Sequence, residues 1–264
     1  MKPPVFDPDW PEEVKAVYKH DVQEIWDPTI ARYIWNQYHN QLDLYFRLAE
    51  GRGVLSILDI GCAQGTLAVL LAERGHRVCA MDIRQPFLDY AASRYEKGEM
   101  RFICGNAMEV EISERFDLIF ANQIVEHLVY PVEFTRRIAA WLKPAGRLVM
   151  TTPNAAYLKN DLPTFEELGD PSEYEGRQFT ADGDGHFFAY SGRELREILL
   201  KAGLEDVSVR YFETPFISGH LKFRYLHSWL PAKILSFLDR LILRIPVLSK
   251  LFAHQLMVVG SSGP

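Results

Sequence analysis

The chain has 264 residues, of which 48% are hydrophobic and 24% are charged. This is ordinary globular composition, which excludes a disordered, collagen-like or coiled-coil protein and suits one large domain or one domain with additions. The formal net charge of −6 and the pI near 5.8 argue against a protein that coats nucleic acid by electrostatic attraction.

Cysteine usage and the N-terminus predict a cytoplasmic location. The three cysteines, Cys62, Cys79 and Cys104, are odd in number and fit no zinc motif, and the apolar runs around Cys79 and Cys104 predict buried thiols. No apolar leader is visible at the N-terminus. Residues 234–253 are the most lipophilic stretch, but they carry too many charges to span a membrane.

The first 152 residues predict an alternation of strands and helices. Residues 1–27 are expected to form an irregular arm, and the spacing of apolar residues predicts a helix over 28–50. Short apolar runs then predict strands over 54–60, 77–83, 100–107, 116–122 and 147–152, with helices over 66–75, 86–97 and 131–142 between them. Such alternation predicts an α/β fold with a doubly wound, mostly parallel sheet.

The alternation breaks after residue 152. Residues 153–190 form a Pro-, Gly- and acid-rich loop, in which 182–185 are predicted to be a flexible acidic turn and not a calcium loop. A helix over 191–203 and strands over 204–212 and 254–260 follow. The predicted organisation is an N-terminal arm and helix (1–50), a ligand-binding core (51–212), an apolar basic insertion (213–252), and a last strand and tail (253–264).

Glycines and polar residues stand where the predicted strands end, and open α/β sheets bind ligands there. Gly61 and Gly65 follow the first strand and allow the backbone to approach a ligand, but the other glycines of a dinucleotide fingerprint are absent. Asp59 would repel a phosphate and suits a cationic ligand. Asp82 ends the second strand and can accept hydrogen bonds from ribose hydroxyls, and the amide of Asn106 can meet an adenine edge.

A nucleoside that lacks phosphates and carries ammonium and sulfonium charges fits these positions better than NAD does, and S-adenosylmethionine (SAM) is such a molecule. Residues 54–152 resemble the class I SAM-dependent methyltransferases in the segments LDIGCAQG, MDI, GNAM, FDLIFANQIVEHL and LKPAGRLVMTTPN. The resemblance implies a seven-stranded, Rossmann-like sheet of order 3-2-1-4-5-7-6 with strand 7 antiparallel. The N-terminal helical arm and a C-terminal lid insertion would be additions to it.

The strand ends supply the candidate cofactor-binding residues. By the resemblance, the glycine turn would line the methionine part of SAM, the acid after the second strand would hold the ribose, and the residues after the third strand would face adenine. The full candidate set is Asp59, Gly61, Cys62, Ala63, Gly65, Asp82, Ile83, Asn106, Ala107, Asn122 and Gln123. The family often has Asp where this chain has Asn106, and an amide still offers an acceptor.

Glu126, His127 and His186 are the candidate catalytic residues. Methyl transfer to a hydroxyl needs a base with a near-neutral pKa, and histidine is the ordinary choice. Gln123, Glu126 and His127 would share one face if a helical turn begins there. The segment IVEHL (124–128) resembles ubiquinone-biosynthesis O-methyltransferases.

A weaker resemblance is to small-RNA 2′-O-methyltransferases, which hold Mg²⁺ with two Glu and two His side chains. Glu126, His127 and His186 match that pattern, but Gln123 stands where that family has Glu, so a divalent metal on these four residues is not favoured. Three roles stay open for the histidines: hydrogen bonding to SAM or to a loop, general-base catalysis, and metal binding.

Residues 231–252 have the spacing of an amphipathic helix that begins at Pro231 and is kinked at Pro246. A lid over the acceptor, a dimer interface and an interfacial helix on anionic lipid all fit this pattern. Residues 221–252 hold six Lys/Arg and one acid, a net +5, which leaves −11 for the rest of the chain.

The sequence therefore predicts a SAM-dependent methyltransferase that acts on an oxygen of a small-molecule or lipid-linked acceptor. It would be a monomer or homodimer, with a peripheral membrane contact through 221–252 and no nucleic-acid partner. The alternatives are a metal-assisted RNA 2′-O-methyltransferase, a non-catalytic SAM-binding module and a nicotinamide oxidoreductase.

Overall fold

A seven-stranded sheet organises the protein, for which a computed structural model describes residues 1–178 and 186–263. The strands are β1 (Ser56–Ile60), β2 (Arg77–Asp82), β3 (Glu99–Cys104), β4 (Phe116–Asn122), β5 (Leu142–Pro153), β6 (Glu205–Phe212) and β7 (Gln255–Ser261). Their order is β3-β2-β1-β4-β5-β7-β6, and β7 runs antiparallel to both of its neighbours. The predicted fold class and strand order are confirmed.

Helices cover the sheet and form the additions to it. They are α1 (Glu12–Asp21), α2 (Arg32–Ala49), α3 (Thr66–Glu73), α4 (Gln85–Arg94), α5 (Pro131–Ala139), α6 (Phe165–Leu168), α7 (Gly192–Lys201), α8 (Pro215–Ser218), α9 (Ala232–Leu243) and α10 (Pro246–Phe252). A π-helical turn (Val22–Trp26) and 3₁₀ helices (Val125–His127, Pro171–Arg177, Phe223–Ser228) complete the described elements. No helix in the described part of the chain combines the length and apolarity needed to cross a bilayer. The acidic turn predicted at 182–185 lies outside the described residues.

The central strands are buried on both faces. Every residue of β1 is buried, because successive side chains of a strand point to opposite faces and helices cover both. Leu58 and Ile119 belong to the core cluster on one face, and Ile57 and Leu118 to the cluster on the other. This double burial explains why the sequence of the strand is a continuous apolar run.

The prediction of an irregular arm over residues 1–27 is wrong, since the arm holds α1 and the π-helical turn. The carboxylate of Asp21 is fully buried and accepts hydrogen bonds from Trp26, Thr66, Tyr90 and Arg94. The arm is therefore joined to α3 and α4 by a polar network. A helix that buries only one apolar side chain leaves no hydrophobic periodicity in the sequence.

Three local expectations also differ from the structure. Strand β5 begins at Leu142 and not at residue 147 as predicted, and the added part has a register shift in its pairing to β4 and a positive φ of 57° at Ala145. Cys79 is buried as predicted, but Cys104 is exposed because β3 is an edge strand. Pro246 does not kink one helix; it starts α10 after α9 has ended.

Candidate active site

The carboxyl ends of β1 to β4 border a cavity of about 180 Å³, which is where the sequence places the cofactor. Seven of the predicted site residues line it: Gly61, Asp82, Ile83, Asn106, Ala107, Gln123 and His127. Five other predicted cofactor residues do not line the cavity: Asp59, Cys62, Ala63, Gly65 and Asn122. Arg84, Ile124 and Phe134 also line the cavity and were not predicted.

The turn after β1 requires its two glycines. Gly61 has φ 64° and Gly65 has φ 71°, in the left-handed region that side chains disfavour. A Cβ on Gly61 would lie 2.9 Å from Cδ1 of Ile124, and a Cβ on Gly65 would lie 2.6 Å from Cβ of Ala91. The turn therefore brings bare backbone to the cavity and lets α3 start directly behind it.

Asp82 holds this turn in place from the end of β2. Its Oδ2 accepts a hydrogen bond from the Ala63 N–H at 2.9 Å, and its Oδ1 accepts one from the Arg84 N–H at 3.0 Å. The Arg84 Nε lies 3.5 Å from Oδ1. Each carboxylate oxygen retains a further lone pair, so a buried acid already fixed in orientation faces the cavity where ribose hydroxyls would bind.

Asp59 is buried at the end of β1, behind the cavity wall. Burial raises the pKa of Asp59 to about 7, and repulsion from the Asp82 carboxylate makes a smaller contribution to this shift. Arg84 offsets the charge of Asp82, whereas Asp59 forms no ion pair within the described residues. A positively charged ligand would favour the ionised form of Asp59, as the sequence predicts for a sulfonium or an ammonium group.

The amides at the other strand ends are partly engaged. Oδ1 of Asn106 accepts a hydrogen bond from the Met108 N–H at 2.9 Å, which shapes the turn after β3. Oδ1 of Asn122 accepts one from the Thr151 hydroxyl at 3.1 Å. The amide of Gln123, once its oxygen and nitrogen are exchanged, donates to Oε1 of Glu126 at 3.2 Å.

Glu126, His127 and His186 come together although His186 lies 59 residues further along the chain. Glu126 and His127 belong to the 3₁₀ helix, and the Phe187 N–H donates to the Glu126 carbonyl at 3.0 Å, which fixes the second segment against the first. The rings of His127 and His186 lie 5.1 Å apart, and Nε2 of His186 lies 3.9 Å from Oε1 of Glu126.

Burial sets the protonation of this cluster. Glu126 is fully buried, which raises its pKa to about 8. The partial burial of His186 lowers its pKa. Both shifts favour the uncharged forms, so His186 is available as a neutral base with a buried carboxyl group beside it.

The same three side chains could also hold a metal ion. One ligand atom from each lies within 4.8 Å of the others. Two imidazoles and one carboxylate suit a borderline ion such as Zn²⁺ better than Mg²⁺, which prefers oxygen ligands.

The N-terminal arm contributes residues that the sequence did not reveal. Arg94, paired with Asp21, donates hydrogen bonds to the carbonyl of Gln64 and to the Thr66 hydroxyl. Glu24 accepts a hydrogen bond from the Gln64 amide at 3.0 Å, and burial raises the pKa of Glu24 to about 8. The arm therefore supports the glycine turn from outside the sheet.

A sheet of this order, with a glycine turn after β1 and a buried acid at the end of β2, defines a class I SAM-dependent methyltransferase. The sequence model of the family described as a methyltransferase domain matches residues 18–209, well over half of the chain. The chain belongs to that family.

Curated relatives are similar over part of their length. A ubiquinone biosynthesis O-methyltransferase from Bradyrhizobium diazoefficiens is 36% identical over 104 residues, which cover 39% of this chain and 41% of that protein. A protein of the same name from Coxiella burnetii is 31% identical over 176 residues, which cover 59% of this chain and 74% of that protein. The first match thus spans about two fifths of the relative's length. Neither name refers to RNA, so the RNA alternative gains no support from them.

Solved structures share the fold at low sequence identity. A SAM-dependent methyltransferase from Archaeoglobus fulgidus superposes with a TM-score of 0.57 at 16% identity, over 93% of this chain and 99% of that chain. The N-methyltransferase NodS from Bradyrhizobium japonicum, in complex with S-adenosylhomocysteine, superposes with a TM-score of 0.56 at 14% identity, over 96% and 100%. At these identities the likeness establishes the fold alone.

Proposed function

We propose that this protein transfers a methyl group from SAM to a hydroxyl oxygen of a small-molecule or lipid-linked acceptor. The observation that carries the proposal is the meeting of His186 with Glu126 and His127, because His127 also lines the cofactor cavity. SAM would supply an activated methyl group on a sulfonium. The acceptor oxygen forms a bond to the methyl carbon as the carbon–sulfur bond breaks, and the electron pair stays on sulfur.

The protein would orient the two reactants and remove the hydroxyl proton. Asp82 would accept hydrogen bonds from the ribose hydroxyls, and the acids beneath the glycine turn would attract the positive charges of SAM. His186 would take the acceptor proton, and the Glu126 carboxyl group, 3.9 Å from Nε2 of His186, would hold the imidazole in place beside the acceptor. Glu126 thereby acts as the residue that orients and stabilises the base.

Calorimetric titration with SAM and with NAD tests the cofactor assignment. We expect SAM to bind in the micromolar range and NAD not to bind. If NAD binds and SAM does not, the proposal is overturned in favour of an oxidoreductase. A non-catalytic module would bind SAM but release no S-adenosylhomocysteine with any hydroxylated acceptor.

Replacement of the base tests the chemical step. His186→Gln should lower kcat by about 10²- to 10⁴-fold, the usual contribution of a general base, with SAM affinity unchanged. His76→Gln, a histidine far from the site on the turn before β2, serves as the control. An EDTA-treated enzyme that keeps its full activity would exclude a required labile metal, and an unaltered kcat in His186→Gln would exclude His186 as the base.

We further propose that the insertion contacts the surface of an anionic membrane. Many of its apolar side chains are exposed: Trp229, before α9, is 84% accessible and Phe237, in α9, is 58% accessible, although Leu235 on the inner side of α9 is buried. The exposed members are Tyr225, Trp229, Ile234, Phe237, Leu241, Ile245, Val247 and Leu251. Six exposed cations accompany them: Lys222, Arg224, Lys233, Arg240, Arg244 and Lys250. Apolar side chains among cations are typical of interfacial helices on anionic lipid.

Sedimentation with vesicles of phosphatidylglycerol and phosphatidylcholine tests the apolar part of this contact. The variant Phe237→Ser,Leu241→Ser should bind at least tenfold more weakly than the wild type. Val54→Ser, which changes an exposed apolar residue outside the insertion, should bind normally. Wild-type protein that stays in the supernatant, or that forms dimers through this face instead, would contradict the proposal.

A further inference from the structure

A second cavity lies beside His186 and contains side chains that the methyl-transfer site leaves unexplained. Its volume is about 440 Å³, and it lies between the loop after β5, the segment after α8 and the residue that precedes β7. The hydroxyl-bearing or ionisable side chains that border it are Tyr157, Lys159, Asp161, His186, His220 and His254.

Three of these side chains form a packed cluster. The rings of His220 and His254 have centroids 4.2 Å apart, and the Tyr157 ring lies 5.4 Å from that of His254. The Tyr157 hydroxyl lies 3.1 Å from Nδ1 of His220, and the Gln255 amide nitrogen lies 3.3 Å from Nδ1 of His254. Within the described chain, Nε2 of each imidazole has no hydrogen-bond partner, so each can bond a ligand.

The cavity offers more donors and positive charge than acceptors. Lys159 is exposed and forms no ion pair within residues 1–178 and 186–263. Lys159 and His220 line the same cavity, and burial and then the positive charge of Lys159 lower the pKa of His220. The amide of Asn160 is already bonded to Leu162, and Asp161, the one carboxylate among the described lining residues, is exposed.

The buried end of the cavity also offers more hydrogen-bond donors than acceptors. Burial lowers the pKa of His254 to about 4, and the neighbouring imidazoles of His220 and His186 make a smaller contribution to this shift. The lowered pKa values keep these imidazoles uncharged near neutral pH, so each carries one N–H that can donate to a ligand, and Lys159 supplies the positive charge of the cavity. A negatively charged group would accept hydrogen bonds from these N–H groups and pair with the Lys159 ammonium group.

The cavity adjoins the methyl-transfer site, and two packed histidine rings lie between them. His186 borders it, and the ring of His186 lies 5.1 Å from that of His127, which lines the cofactor cavity. A molecule held by the buried cluster can therefore present another of its atoms beside His186.

We propose that this cavity is the acceptor site, in which Tyr157, His220, His254 and Lys159 bind a carboxylate or phosphate group of the acceptor. The inference rests on the proposed methyl transfer and adds the chemical class of the acceptor, an acid. The hydroxyl to be methylated would lie on the His186 side of the molecule, and the acidic group on the His254 side.

Calorimetry with small acids tests this site. The full chain, saturated with S-adenosylhomocysteine so that no turnover occurs, is titrated with benzoate, with phenyl phosphate and with neutral benzamide. We expect at least one of the two anions to bind tenfold or more tightly than benzamide, and the tighter of the two identifies a carboxylate or a phosphate. Equal binding of all three probes, or no binding of any, would overturn the inference.

Variants test which side chains cause the preference for anions over benzamide. His220→Gln,His254→Gln should reduce the anion preference to less than threefold, and Lys159→Met, an exposed position, should reduce it partly. His39→Gln,His76→Gln removes two histidines elsewhere and should leave it intact. A preference that survives the first two variants contradicts the assignment.

The affinity for S-adenosylhomocysteine separates the two proposals. An unchanged affinity in every variant verifies that the fold and cofactor site are intact. Wild-type protein that binds SAM but shows no anion preference refutes only the acceptor assignment. Wild-type protein that does not bind SAM refutes the proposed function itself.

Discussion

The cofactor assignment depends most on one residue at the end of β2, Asp82. Asp82 is fixed by the N–H groups of Ala63 and Arg84, so its carboxylate would meet the ribose of the proposed cofactor without reorganisation. Asp82→Ala should weaken SAM binding by on the order of 100-fold, because hydrogen bonds to charged groups contribute about 1.5–3 kcal/mol each. Calorimetry measures the loss. Asp89→Ala removes an exposed acid from α4 and should bind SAM normally. Equal affinities would mean that the ribose lies elsewhere.

Gly65 tests the close packing behind the glycine turn. Gly65→Ala should destabilise the fold by ~1–3 kcal/mol more than Gly51→Ala, because overpacking adds to the strain of a positive φ. The two positions share φ 71°, but a Cβ on Gly51 meets no atom within 4 Å. Urea denaturation gives both values. Gly65→Ala,Ala91→Gly should recover part of the loss, and equal effects at the two glycines would refute the packing argument.

At the scale of elements, the arm depends on one buried ion pair. Asp21→Ala should cost about 3–5 kcal/mol, since it leaves the buried guanidinium of Arg94 without its counter-charge. Denaturant unfolding measures this loss, with Asp9→Ala on the exposed part of the arm as the control. Asp21→Ala,Arg94→Met should lose less than the single variant. A single variant as stable as the control would show that the arm is not anchored there.

The insertion is joined to α2 by a buried acid whose titration gives a pH dependence. Oε2 of Glu213 accepts a hydrogen bond from Gln37 at 2.8 Å, and burial raises the pKa of Glu213 to about 7. The folded state binds this proton more tightly than the unfolded state, so the contribution is complete below the ordinary pKa of 4.5 and is lost as the pH rises to about 7. From pH 5.5 to pH 8.0, the denaturation midpoint should therefore fall less in Glu213→Gln than in the wild type. An equal fall of the midpoint in the two proteins would contradict this pH dependence.

The sequence predicts those elements whose burial leaves a periodic or continuous apolar pattern. The strands and their order follow from runs such as that of β1, and Asp82 follows from its place at a strand end. The arm was missed because its anchor, Asp21, is polar, and its partners are distant in sequence. His220 and His254 were missed for a related reason: only tertiary folding brings histidines from two segments to 4.2 Å.

At the scale of the whole molecule, the chain separates its charges. The insertion carries a net +5 within residues 221–252, and the rest of the chain carries −11. The Leu158 N–H donates to the Leu251 carbonyl at 3.0 Å, so the rim of the acceptor cavity adjoins the exposed apolar face of α10. With the proposed membrane contact, an acid on an apolar chain would enter the proposed acceptor cavity directly from the lipid surface.

The proposed membrane contact predicts that vesicle binding depends on charge as well as on apolar area. Each cation near an anionic bilayer contributes about 1 kcal/mol, so Arg240→Glu,Arg244→Glu should reduce binding to phosphatidylglycerol vesicles by well over tenfold. Lys19→Glu,Lys97→Glu makes the same change of charge at exposed sites outside the insertion and should reduce it far less. Wild-type binding should weaken as salt rises from 50 to 300 mM, because screening shortens the reach of the cations. Binding that ignores both salt and the two arginines would mean that the apolar side chains act alone.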